Sequence, residues 1–238
     1  MKLQKIIYLA ILSLFFNLLS CSKLDDPTSI STDNIITIKT EKDSILANGA
    51  DKTLITAELK GDTPDGQTLT FKTDKGYFSG IPGSGTGNIQ QFTLKSSART
   101  ASVYLVSSTE ETDATVSVSV SDFLVFTTVE FKRISPSRII ISSNRFELPA
   151  DGNSAAQLTV SLISPMDIGT VTEGTRILFT VENASTNVEL TNLHMEALSD
   201  QNGVAKTSFV GTDKGQMRII ARVDKLDAIR DTILITCD

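Results

Sequence analysis

The chain has 238 residues and a formal net charge of −6, from 22 basic and 28 acidic residues. An acidic chain without a cluster of lysine and arginine argues against nucleic acid as a partner and against electrostatic docking onto anionic lipid. The length allows two domains of about 100 residues each.

The first predicted element is an export signal at residues 1–20. Lys2 and Lys5 precede an apolar run at residues 6–16, and a Leu-Leu-Ser sequence leads directly into Cys21. A basic start, an apolar stretch and a cleavage point are the parts of a secretory signal. The apolar run is too short to span a bilayer, which needs roughly 20 apolar residues. We therefore expect the signal to be cleaved and the protein to start at Cys21.

Leu18-Leu19-Ser20-Cys21 resembles the lipobox of bacterial lipoproteins, in which the cysteine is acylated and becomes the new N-terminus. The resemblance implies that Cys21 carries acyl chains such as palmitate, which together hold the protein stably on a membrane. An ordinary secretory signal and an uncleaved anchor are the alternatives, but an ordinary cut favours a smaller residue than Leu18. With Cys21 acylated, Cys237 has no partner for an intrachain disulfide.

Residues 21–34 form a predicted flexible tether that is rich in aspartate, threonine and serine. Ser22-Lys23-Leu24-Asp25-Asp26 resembles the acidic export signal that follows the lipid cysteine in surface lipoproteins of the Bacteroidetes. The resemblance implies the outer membrane, with the chain exposed at the cell surface. A periplasmic location is the alternative, because any solvated tether is polar. At ~3.3–3.6 Å per extended residue, the tether reaches at most about 45 Å from the lipid.

Alternation of apolar and polar residues predicts an all-β fold after the tether. Val116–Val120 and Leu158–Leu162 are clear examples. Such alternation places one face of a strand on a core and the other face in water. No stretch after Cys21 shows a sustained helical period of apolar residues.

The chain also repeats itself at a spacing of about 103 residues, which predicts two copies of one unit. Leu46–Asp51 leads into an alternating strand, and Pro149–Ser154 leads into its counterpart. About seven short strands per copy predict two tandem immunoglobulin-like Greek-key β-sandwiches. We place these domains at residues 35–133 and 138–238. The joint Ile134-Ser135-Pro136-Ser137 is short and contains a proline, so it should limit the angle between them.

The alternation and the repeat together predict which side chains form the core of each copy. The first set is Ile55, Leu59, Phe71, Val103, Val116 and Val118, and the second set, named as its counterparts, is Leu158, Leu162, Phe179, Phe209, Ile219 and Val223.

Leu148–Ser154, Gly174–Phe179, Asp200–Ala205 and Ile220–Val223 resemble the bacterial immunoglobulin-like domains of invasins and intimins. The first copy is less similar. It keeps the Ala47-Asn48-Gly49 turn but lacks the Asp-x-x-Gly-x-Ala hairpin of the second copy. The resemblance implies a non-catalytic, membrane-anchored protein of the cell envelope whose domains act in adhesion or as a spacer or interaction module.

Catalytic motifs are missing from the sequence, so we expect neither an enzyme nor a cofactor. His194 is the only histidine, and there is no Gly-x-Ser-x-Gly elbow, His-Glu-x-x-His or phosphate-binding loop. The glycine-dense segment Gly80–Gly87 favours a mobile loop between strands, with a loop that contacts a ligand as the alternative. A calcium site needs six to eight converging oxygens. Solvated turns are therefore favoured for its candidates, which are Asp62, Asp65, Asp151, Asp200 and Asp213.

Tyr77 and Phe78 form the one aromatic platform that the sequence offers to a ligand. Sugar sites on sandwiches use exposed aromatic rings, and this chain has no tryptophan. The alternative is that Phe78 belongs to the edge of the core. Phe123–Phe126 favours a core or edge strand over a binding patch. The second hypothesis for function is therefore an accessory glycan-binding or scaffolding component of a surface uptake complex, with a surface glycan or another protein as its partner.

Overall fold

The structure is a computed structural model that describes Thr32 and residues 35–79, 89–166, 168–190 and 195–238. The described residues form eighteen β-strands and no α-helix. None of them belongs to a helix of the length and apolarity that crossing a membrane requires. The predicted all-β fold is therefore confirmed.

Nine strands form the first sandwich. Their bounds are β1 Ile36–Thr40, β2 Ser44–Leu46, β3 Lys52–Leu59, β4 Thr68–Thr73, β5 Tyr77–Ser79, β6 Gln91–Lys95, β7 Thr100–Val106, β8 Thr112–Val120 and β9 Phe123–Lys132. One sheet has the order β1-β3-β7-β5, and the facing sheet has the order β2-β9-β8-β4-β6. Strand β1 pairs antiparallel with β3, whereas β2 crosses to the other sheet and pairs parallel with β9.

The second sandwich repeats this plan. Its strands are β10 Arg138–Ser143, β11 Glu147–Leu148, β12 Ala155–Ile163, β13 Arg176–Asn183, β14 Val188–Glu189, β15 Met195–Leu198, β16 Val204–Val210, β17 Gly215–Val223 and β18 Leu226–Cys237. One sheet has the order β10-β12-β16. The other has the order β11-β18-β17-β13-β14, and β15 also pairs with β13.

Strand pairing places the two copies in the register that the repeat predicts, with two exceptions. Ile45 lies opposite Phe131 on β9, and Leu148, 103 residues further on, lies opposite Cys237 on β18. The named counterparts of Val103 and Val118 were wrong. Phe209 lies opposite Ala156, and Leu105 lies opposite Thr53, which is the equivalent of Ala156 in the first copy. Phe209 is therefore the counterpart of Leu105. In the same way, Val223 is the counterpart of Val120.

Each sandwich closes over its own hydrophobic core. All twelve residues predicted to be core are buried, six in each cluster. In the first core, the rings of Phe71 and Phe78 meet edge to face with their centroids 6.3 Å apart. In the second core, Phe179 and Phe209 fill the space between the sheets. Each pair of sheets buries the inward-facing side chains of its own strands, so the two cores are separate.

The Phe123–Phe126 run belongs to β9, as predicted for a strand, but it is not a simple core segment. Val125 points into the core, whereas Leu124 and Phe126 are 47% and 61% exposed. Their outward position follows from the two-residue period of a strand. Two large apolar side chains therefore stand on the outer face of the first sandwich.

Several predicted features lie outside the described residues. They are the export signal, Cys21, all of the tether except Thr32, the glycine-dense segment Gly80–Gly87 and His194.

Candidate functional site

The two sandwiches meet at the loop between β12 and β13, where Thr172 joins them. Its buried hydroxyl accepts a hydrogen bond from the backbone N–H of Ile134 at 2.7 Å and donates one to the carbonyl of Ala47 at 3.1 Å. The backbone N–H of Thr172 also donates to the carbonyl of Ile134 at 3.2 Å. One side chain therefore links the end of the first sandwich, the connecting segment and the second sandwich.

Backbone hydrogen bonds on both sides of Thr172 extend this joint. The N–H of Thr170 donates to the carbonyl of Asn48 at 2.9 Å, and the N–H of Glu173 donates to the carbonyl of Thr109 at 2.8 Å. The hydroxyl of Thr109 donates in return to the carboxylate of Glu173 at 3.2 Å. Most of these groups are backbone atoms or short side chains, which leaves the contact little rotational freedom.

Gly169 allows the two backbones to approach this closely. Its φ is +77°, and a Cβ atom at this position would lie only 2.5 Å from the carbonyl oxygen of Asn48. Glycine adopts this conformation without a steric cost, and it has no Cβ to collide. Any other residue here would push the loop away from the first sandwich.

Asn48 shapes the turn that receives these contacts. Its Oδ1 accepts hydrogen bonds from the backbone N–H groups of Ala50 at 2.9 Å and Asp51 at 2.7 Å. This is the way asparagine side chains commonly hold a turn. Only 2% of Asn48 is exposed, so the turn is closed on one side by its own side chain and on the other by the second sandwich.

Beside the joint, loops of both sandwiches enclose an open cleft of about 650 Å³. This volume lies within the range of roughly 300–1,000 Å³ that is usual for small-molecule sites. The first sandwich contributes one wall, which includes Asp74, Lys75, Tyr77, Gln90 and Ser107, and the second contributes the other, which includes Gly169, Thr170, Gln201 and Asn202. The cleft therefore exists only where the two sandwiches meet.

The charged groups on the wall of the cleft already have partners. The ammonium of Lys75 lies 2.7 Å from the carboxylate of Glu110, and this hydrogen bond raises the pKa of Lys75. The carboxylate of Asp74 accepts a hydrogen bond from the backbone N–H of Thr115 at 2.7 Å. The groups that stay available to a ligand are mainly neutral amides and hydroxyls.

Ser107 is the unusual polar group of this wall. Its backbone N–H donates to the carbonyl of Asp51 at 2.9 Å. Its hydroxyl is buried and has no hydrogen-bond partner among the described residues. A buried polar group without a partner has a cost of about 1–3 kcal/mol. Because Ser107 is 0% exposed, a bound molecule would recover this cost only if the wall opened around the hydroxyl.

The structure separates the two residues of the predicted aromatic platform. Tyr77 is half-buried and lines the cleft. Phe78 is buried in the core against Phe71, and its burial supports the alternative that places it at the core edge. Successive residues of a strand point to opposite faces, so Tyr77 and Phe78 do not form one surface.

Three of the acidic residues considered for calcium, Asp65, Asp151 and Asp200, act as hydrogen-bond acceptors within turns. Asp65 accepts from the N–H groups of Gly66, Ala98 and Arg99 and from the hydroxyl of Ser96. These hydrogen bonds lower the pKa of Asp65, and the one from the backbone N–H of Arg99 has the largest effect. Among the described residues, no three His, Cys, Asp or Glu side chains are grouped to hold a metal ion.

Asp151 and Asp200 act in the same way in the second sandwich. Asp151 accepts from the N–H groups of Asn153 and Ser154, and Asp200 accepts from those of Asn202 and Val204. The pKa of each aspartate is lowered, chiefly by the backbone hydrogen bond from Ser154 to Asp151 and from Val204 to Asp200.

Sequence reasoning singled out Tyr77, which lines the cleft, but not Thr172, Ser107 or the cleft itself. A single polar residue in a loop carries no periodic signal, and the walls come from segments that are far apart in the chain. One signal was present. The repeat places Asn48 where the second copy has Asp151, and the loss of charge at a shared turn indicates burial.

No protein-family model matches the chain, and no curated protein is significantly similar to it. Solved structures do match. The Yersinia pseudotuberculosis adhesin InvE superposes with a TM-score of 0.56 at 18% identity, covering 87% of this chain and 60% of InvE. Invasin, a bacterial integrin-binding protein, superposes with a TM-score of 0.57 at 16% identity, covering 85% of this chain and 39% of invasin.

The similarity to InvE and invasin shows a shared fold. The expected resemblance to invasin-type immunoglobulin-like sandwiches is therefore confirmed at the level of the fold. The chain matches less than two thirds of the length of either structure.

Proposed function

We propose that the protein is a non-catalytic lipoprotein of the cell envelope, anchored through Cys21, whose two immunoglobulin-like domains form a stiff spacer and interaction module. The observation that carries this proposal is the joint at Thr172, where one buried hydroxyl bonds both to Ala47 and to Ile134. A spacer has to hold its far end at a defined position. A joint of fixed hydrogen bonds does this, whereas a free linker does not.

The energetics of the joint favour one angle between the domains. Each hydrogen bond contributes a net ~0.5–1.5 kcal/mol, and each buried partner left alone costs ~1–3 kcal/mol. Bending at Ile134 would break the bonds of Thr172 together with those from Thr170 and Glu173. The observed arrangement and one that lacks these hydrogen bonds are therefore separated by several kcal/mol on these terms.

The interaction part of the proposal is supported by the outer face of β9. Leu124 and Phe126 are exposed there, and their cross-strand neighbours on β8 are Ser119 and Ser117. Exposed aromatic side chains are enriched at protein contact sites. The structures of similar fold include an adhesin and an integrin-binding protein, which agrees with a role in adhesion.

The anchoring proposal is tested by protease treatment of intact cells, combined with mass analysis of the N-terminus. We expect an acylated Cys21 and digestion of both domains on unbroken cells, because the tether leaves them outside the outer membrane. Protection until that membrane is opened would place the protein in the periplasm and contradict the adhesion role. An unmodified N-terminus at any other residue would contradict the lipid anchor.

The stiffness of the joint is tested by replacing Thr172. Spin labels on cysteines introduced at the exposed positions Thr128 and Asp227 report the distance between the domains, and Cys237 is buried and stays unlabelled. Thr172→Val keeps the shape but removes the hydroxyl, so the distance distribution should broaden clearly. Thr172→Ser keeps the hydroxyl and should leave the distribution narrow. A broad distribution in the unchanged protein would contradict the spacer role.

A second candidate function is an accessory glycan-binding or scaffolding component of a surface complex. The specific observation in its favour is that Tyr77 lines the cleft between the two domains. The two functions are compatible, since a stiff joint also fixes the width of a cleft.

A further inference from the structure

We infer that the cleft between the two sandwiches binds a short, neutral oligosaccharide. This inference rests on the second candidate function and not on the spacer role. The cleft has a volume of about 650 Å³ and is open to solvent. Those dimensions suit a chain of a few sugar units better than a single small ion.

The chemistry of the walls favours a neutral, hydroxyl-rich ligand. Gln90 lies on one wall, and Gln201 and Asn202 lie on the other. Side-chain amides offer both donors and acceptors, which matches the paired donor and acceptor character of sugar hydroxyls. Lys75 is already held by Glu110 at 2.7 Å, so the described lining residues offer no free cation to an anionic ligand.

Ser107 adds a reason for the cleft to be occupied. Its hydroxyl is buried, lacks a hydrogen-bond partner among the described residues, and belongs to a residue that lines the cleft. Because Ser107 is 0% exposed, a ligand hydroxyl reaches this group only after a small local opening of the wall, but it then satisfies the group without displacing another bond. The free protein carries the desolvation cost in advance, so the bound state gains from it.

Tyr77 supplies the one aromatic ring among the described residues that line the cleft. Its ring has an apolar face and its hydroxyl is polar, a combination that suits the mixed surface of a sugar. The opposite wall is held in place by the hydrogen bond from Thr170 to Asn48. The two walls therefore have a fixed separation before a ligand arrives, which reduces the ordering cost of binding.

The inference is tested with the full-length protein in detergent on an array of neutral gluco-, manno-, galacto- and xylo-oligosaccharides of two to four units. The array also carries sialylated and sulfated glycans and unrelated peptides. We expect binding to at least one neutral series. Ser107→Ala should weaken it about fivefold to tenfold, and Tyr77→Ala should abolish it while Tyr77→Phe retains part of it.

Thr37 provides the matched control, because its Oγ1 is the other buried hydroxyl without a partner among the described side chains. It lies on β1, away from the cleft. Thr37→Val and Ser107→Ala should both leave the melting temperature unchanged or slightly raised, but only Ser107→Ala should weaken binding. Equal effects of the two substitutions would overturn the inference. So would binding to no glycan, to charged glycans alone or to peptides alone, and none of these outcomes would affect the protease test of anchoring.

Discussion

The same turn occurs once in each sandwich, but its two versions have different surroundings. Asn48 and Asp151 occupy equivalent positions, and each uses Oδ1 to accept two backbone N–H groups. In the first copy, the second sandwich covers the turn, and the carbonyl of Asn48 accepts the N–H of Thr170. In the second copy, the hydrogen bonds of the turn to described residues stay within its own sandwich, where the N–H of Gly152 donates to the carbonyl of Gly211.

Burial explains why the two residues differ. Asn48 is 2% exposed, whereas Asp151 is exposed to water. A buried carboxylate loses its hydration, and its cost exceeds that of a neutral amide. Both side chains provide the acceptor that the turn needs, but only the amide is tolerated under a neighbouring domain. The same position in the fold therefore carries asparagine where a neighbouring domain covers it and aspartate where water does.

The largest effect is expected where the two copies are alike, in their cores. Phe71→Ala and Phe179→Ala should each cost about 3–5 kcal/mol, because each removes a buried ring from a closed core. Phe71→Ala also loses the edge-to-face contact with Phe78, so it should be the more severe of the pair. Thermal melting with a probe in each sandwich checks the order. A barely changed melt of either variant would contradict the strand register.

Gly152 and Gly169 have nearly the same backbone conformation but different surroundings. Gly152 has a φ of +70° and open space around its Cβ position, whereas Gly169 at +77° faces the carbonyl of Asn48. Gly152→Ala should cost about 1–2 kcal/mol for the left-handed conformation alone. Gly169→Ala should cost roughly 1–3 kcal/mol more, because the joint must shift to admit the methyl group. Denaturant unfolding measures both, and equal losses would show that the joint is loose.

The reciprocal exchange of the two turn residues tests the burial argument directly. Asn48→Asp should destabilise the protein by about 2 kcal/mol at neutral pH, because it buries a charge at the joint. Asp151→Asn should change stability by less than about 0.5 kcal/mol, since the exposed turn keeps its Oδ1 acceptor. The deficit of Asn48→Asp should shrink as the pH falls and the new carboxyl becomes neutral. A deficit that is independent of pH would point to shape and not to charge.

The cores could be predicted from the sequence because alternation and a repeat are regular signals. Inward positions such as Ile55 and Leu158 follow from the two-residue period alone, and both are fully buried. The assignment of Val103 as the counterpart of Phe209 was wrong for a related reason. Alternation identifies the inward face, but only cross-strand register decides which inward residue matches which.

The place of the joint could be predicted, but the hydrogen bonds at Thr172 and the cleft could not, because they depend on contacts between distant segments. The hydroxyl of Thr172 reaches Ala47, 125 residues earlier. The exposure of Phe126 was also not predicted. When every residue in a stretch of a strand is apolar, the sequence does not show which face of the strand points into the core. Irregular contacts of this kind follow from how the two sandwiches pack, which no local pattern encodes.

The smallest effect is expected at a hairpin that both copies form. The first copy forms it without the Asp-x-x-Gly-x-Ala sequence of the second copy. In the second copy, Asp200 accepts two N–H groups through Oδ1 alone, and Gly203 takes the left-handed position. In the first copy, Ala98 and Arg99 take that conformation at φ +49° and +63°. Asp65, more than 30 residues earlier, holds them with both carboxylate oxygens.

Asp65→Asn should therefore lower the melting temperature more than Asp200→Asn does, because an amide replaces only one of the two acceptor oxygens of Asp65. The folded pKa of both aspartates lies below the ordinary value of ~3.9. Their stabilising effect is therefore complete above about pH 4 and is lost as the pH falls through the lowered folded value. Melting curves from pH 7 to pH 2 check this, and the slope below pH 4 should be shallower in each variant. An unchanged slope in Asp65→Asn would mean that the turn holds its left-handed residues without the carboxylate.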